Sequence, residues 1–68
     1  MLETWTGDIV GIMHTHHISS KELAAELGWH EKYLSSVLNG HRSPKGAEEK
    51  CRKAISEIIT RKGMEGKG

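Results

Sequence analysis

The chain has 68 residues, with 10 Lys or Arg against 9 Asp or Glu, no Phe and one cysteine. That length allows a single domain with one small core, which Leu, Ile, Val and Ala must fill beside two Trp and one Tyr. Cys51 alone excludes an internal disulfide, no apolar run approaches the ~18 residues that span a bilayer, and a net charge of +1 excludes a strongly basic coating protein.

The expected elements are all helical, because no stretch alternates with the period of a strand. In the first helix Leu2, Trp5, Ile9, Ile12 and Met13 recur at spacings of three and four, and the pattern ends near His16. Gly7 and Gly11 each weaken it by roughly 1 kcal/mol relative to Ala, and serve either close helix contact or fraying. His14 and His17 have the spacing of a helical metal pair. Without a Cys or acid at ligand spacing they read as a helix C-terminus, where imidazolium is favourable, and no metal is expected.

The second helix opens on a capping box, Ser19 with Glu22, and on a hydrophobic staple of Ile18 with Leu23. Leu23, Ala24 and Leu27 make its apolar stripe, and Gly28 suits the left-handed ending. Trp29 and Leu34 repeat the staple at the third helix, although His30 is a poor cap. Leu34, Val37 and Leu38 form the third stripe, stopped by Asn39-Gly40. Ser43 and Pro44 are expected to start the fourth helix, whose inward face is Ala47, Cys51, Ala54, Ile55 and Ile58. A domain over 1–62 with a frayed tail over 63–68 follows.

Charge is polarised along this order. Residues 1–29 set Lys21 against Glu3, Asp8, Glu22 and Glu26, a balance of −3, and residues 30–68 carry +4. The basic excess therefore begins where the third helix begins.

Two short amphipathic helices joined through Gly28 are how a helix-turn-helix is written. Counted from Ser20, apolar residues at the fourth, eighth, tenth, fifteenth and eighteenth places (Leu23, Leu27, Trp29, Leu34, Val37), Ala24 at the fifth and Gly28 at the ninth make residues 18–44 resemble the lambda-repressor-like family. This is the phage repressor and Cro group, also called XRE-type. Trp29 is larger than the residue usual at its place. The resemblance implies an all-α, compact four-helix domain and a sequence-specific DNA-binding transcriptional regulator, a repressor of phage or mobile-element type. Its recognition helix enters the major groove of double-stranded DNA.

The resemblance further implies base contacts from His30, Glu31, Lys32 and Ser36. Lys32 suits guanine O6 and N7, and Glu31 a cytosine amino group. Backbone contacts are expected from Ser20, Lys21, Tyr33, Asn39, Gly40, His41, Arg42 and Lys45. Ile59 lies beside Ile55 and partly towards solvent on the fourth helix, a candidate contact for a weak homodimer. No nucleophile, base and oxyanion constellation appears, so no enzyme, cofactor or small-molecule ligand is expected. With no secretory pattern at its start, the chain is expected in the cytoplasm, on the nucleoid when bound to DNA. The alternative function is an antitoxin-type or other protein-interaction module of the same fold with weak or no DNA binding. Glu31, the poor cap and the low net charge favour the second of these, an interaction module that kept the fold and lost DNA binding.

Overall fold

The computed structural model describes the backbone of residues 4–65 and the side chains of residues 4–63. Four helices and no strand occur among them: α1 (Thr4–Thr15), α2 (Ser20–Leu27), α3 (Glu31–Leu38) and α4 (Ala47–Glu65). The long α4 packs on α1 and α2, and α3 packs on the same two helices. Each helix contributes a Leu or Ile side chain that is at most 1 % exposed: Ile9, Leu23, Leu34 and Ile58. Trp5, Met13, Ile18, Ala24, Val37, Ala47, Cys51, Ala54 and Ile55 complete the buried core, while Ile12, Leu27 and Leu38 are partly buried against it. The expected stripes therefore face inward, apart from Leu2, which lies outside the described residues. Burial pushes the Cys51 thiol up from its ordinary pKa, which leaves it a small apolar filler.

The first three helices stop in the same way. At the end of α1, Ile18 N–H donates to the Met13 carbonyl (2.8 Å) and His17 N–H to that of His14 (3.3 Å), with His17 at φ 57°. At α2, Trp29 donates to Ala24 (2.9 Å) and Gly28, at φ 76°, to Ala25 (3.2 Å). At α3, His41 donates to Ser36 (2.9 Å) and Gly40, at φ 81°, to Val37 (3.1 Å). Each is a Schellman ending, in which one left-handed residue lets the chain turn back and satisfy the last free carbonyls. Glycine fills that residue at α2 and α3, and histidine at α1.

Two local expectations need correction. The capping box at α2 is half formed: Glu22 N–H donates to Ser19 Oγ (3.0 Å), but Glu22 Oε2 lies 3.6 Å from Lys62 Nζ on α4. The fourth helix begins at Ala47, not at Ser43-Pro44. Gly46 takes φ 75°, which breaks helical continuity, and Ala47 N–H closes a turn onto the Pro44 carbonyl (3.1 Å). Pro44 thus shapes the preceding turn. At its other end α4 runs through Gly63 to Glu65, and 66–68 lie outside the described residues. No helix among the described residues is long and apolar enough to cross a membrane.

Candidate nucleic-acid interface

α2 and α3 are both eight residues long, and Gly28, Trp29 and His30 join them. Ile18 and Leu23 are both buried at the entry to α2, as a staple requires. His30 occupies the cap of α3 with extended backbone (φ −71°, ψ 146°) and makes no side-chain capping bond, so its imidazole is left exposed. With Leu34 and Val37 buried, a rotation of about 100° per residue turns Lys32, Ser35, Ser36 and Asn39 away from the core. Glu31 and Tyr33 flank that outward strip. A helix this size fits the B-DNA major groove, which is about 12 Å wide.

Hydrogen bonding within the strip decides what each group has left to offer. Ser36 is half-buried and its hydroxyl donates to the Lys32 carbonyl (3.1 Å), so only its lone pairs remain for an incoming donor. Asn39 Nδ2 donates to Ser35 Oγ (3.3 Å), which leaves the Asn39 amide oxygen and one N–H outward. Ser35 was not among the expected contacts. It is exposed, about 100° round the helix from Leu34 and further still from Val37, a place readable from helical spacing alone.

Charge is sorted between the two sides of the domain. Lys21, Lys32, Arg42 and Lys45 are exposed and enter none of the ion pairs among the described residues. The two acids of α2 are instead neutralised from α4, Glu22 by Lys62 and Glu26 by Arg61. The Arg61 hydrogen bond holds the Glu26 carboxyl below its usual pKa. Arg52 likewise meets Glu48 (2.9 Å) and Asp8 (3.7 Å) on the α1–α4 side. Glu31 is the one acid of α3, exposed at its first turn where the helix dipole favours a carboxylate.

The remaining expected contact residues lie at the element ends. Ser20 is half-buried and Lys21 exposed in the first turn of α2. Asn39, Gly40, His41, Arg42 and Lys45 are exposed along the α3–α4 loop. Tyr33 is half-buried on α3. Its ring meets Trp29 edge-on (centroids 5.0 Å, 88°) and carries the Arg42 guanidinium carbon 5.6 Å from its centroid. Among the described residues no group of three or more His, Cys, Asp or Glu could hold a metal. Comparison with protein-family models, with curated proteins and with solved structures found no match.

Proposed function

We propose that the protein is a sequence-specific DNA-binding transcriptional regulator of the repressor type, with α3 in the major groove. The observation that carries this reading is the pairing of a three-residue turn at Gly28–His30 with an outward α3 strip of Lys32, Ser35, Ser36 and Asn39. Polar groups at that spacing suit base edges, and the unpaired cations at Lys21, Arg42 and Lys45 suit phosphates. The small net charge predicts binding that relies on a few placed contacts rather than on a broad basic surface.

The deciding experiment is duplex binding by the purified protein over a range of salt. Binding to a pool of duplexes should weaken linearly in log–log form, with a slope that reports a handful of phosphate contacts. Absence of binding at low salt would remove this reading. It would favour a protein-interaction module of the same shape, for which Glu31 at the head of the exposed helix is the supporting observation.

A further inference from the structure

We propose that Tyr33 and Arg42 form one unit, in which the tyrosine ring holds the arginine guanidinium pre-oriented for a DNA phosphate. The inference rests on the reading above and adds a positioning residue to it. Arg42 is anchored twice. Its backbone N–H shares the Ser36 carbonyl with that of His41 (3.3 and 2.9 Å), which ties the start of the loop to the last turn of α3. Its guanidinium carbon then lies 5.6 Å from the Tyr33 ring centroid, within the range of a cation–π contact.

The ring itself is not loose. Tyr33 is half-buried on α3, packs against the core, and meets Trp29 in a T-shaped ring pair at 5.0 Å. Trp29 is in turn fixed by its N–H to Ala24 within the turn between α2 and α3. A continuous chain of contacts therefore links the turn to Arg42. An arginine on a flexible loop loses rotamer freedom when it meets a phosphate, and one already laid on a ring loses less. No carboxylate among the described residues pairs with Arg42, so its N–H fork stays available. On this reading Tyr33 acts through Arg42 and does not itself touch DNA.

The test is a set of variants measured for duplex affinity and for salt slope: Arg42→Ala, Arg42→Lys, Tyr33→Leu, Tyr33→Phe and the double variants. Arg42→Ala should reduce the slope by about 0.9, the value of one phosphate. Tyr33→Leu should weaken binding about two- to fivefold on all sequences alike, the range an exposed cation–ring contact supports. Tyr33→Phe keeps the ring and should bind as wild type. Arg42→Lys keeps the charge but loses the flat guanidinium, so it should hold the slope and match Tyr33→Leu in affinity. In the Arg42→Ala background Tyr33→Leu should have no further effect. Should Tyr33→Leu fail to fold, the comparison of Arg42→Lys with Arg42→Ala carries the same test. Equal loss from Tyr33→Leu with and without Arg42, or wild-type affinity in Arg42→Lys, would overturn the unit while leaving the DNA-binding reading in place. No salt-dependent binding by the wild type overturns both.

Discussion

His17 holds a left-handed backbone at φ 57°, the single non-glycine residue to do so among the described residues. A side chain in that region costs roughly 1–2 kcal/mol, and glycine gives back part of this through its greater freedom in the unfolded chain. His17→Gly should therefore raise stability by about 0.5–1 kcal/mol, seen as a thermal midpoint several degrees higher. A lower midpoint would mean that the imidazole makes a contact worth more than the strain. The histidine cluster was legible in the sequence as a helix end, because no further ligand accompanied it. That one member must turn left-handed was not legible, since the signal for such a residue is normally glycine. The placement of Arg42 over Tyr33 was equally hidden. It depends on how the loop folds back after Gly40, which helical spacing does not report.

Glycines separate into two kinds once the helices are in place. Gly7 lies exposed within α1, and a methyl group added there or at Gly11 would meet nothing within 4 Å. Close helix contact is thus not their role, and Gly7→Ala should stabilise the domain by roughly 0.5–1 kcal/mol. Gly28 has equally open space but sits at φ 76°, so Gly28→Ala should destabilise by about 1–2 kcal/mol through the backbone alone. Chemical denaturation of the two variants checks both signs; the same sign for both would refute the distinction. The helices were readable from their apolar periods, since Ile9, Leu23, Leu34 and Ile58 all reached the core. The start of α4 was misplaced because Pro44 is favoured at a first helical turn, while the left-handed Gly46 two residues on overrides that preference.

At the scale of the whole molecule, the end of α4 clasps α2 through Glu22–Lys62 and Glu26–Arg61. Because the Glu26 carboxyl titrates below its usual range when folded, it contributes stability above its unfolded pKa. That contribution is lost as pH falls through the lower, folded value. Glu26→Gln should consequently be less stable than wild type at neutral pH and should converge with it in acid, as thermal melts across pH would record. Parallel curves would exclude the linkage. On the opposite side, Ile59 is half-buried against the core and lines a shallow groove with Ile9, Ile12 and Ile55. It thus lies partly towards solvent, and the weak homodimer stands as a proposal. If α4 forms its interface, Ile59→Glu lowers the dimer fraction in sedimentation and costs affinity for paired half-sites about one helical turn apart. Monomeric sedimentation of both proteins at high concentration would end that proposal. The proposal that α3 reads base sequence is open to selection from random duplexes with wild type and Lys32→Ala. Wild type should select a defined motif, and the variant should show relaxed preference at one base pair with a loss of roughly 1–3 kcal/mol. A motif that survives unchanged in Lys32→Ala, or no enriched motif for either protein, would contradict it.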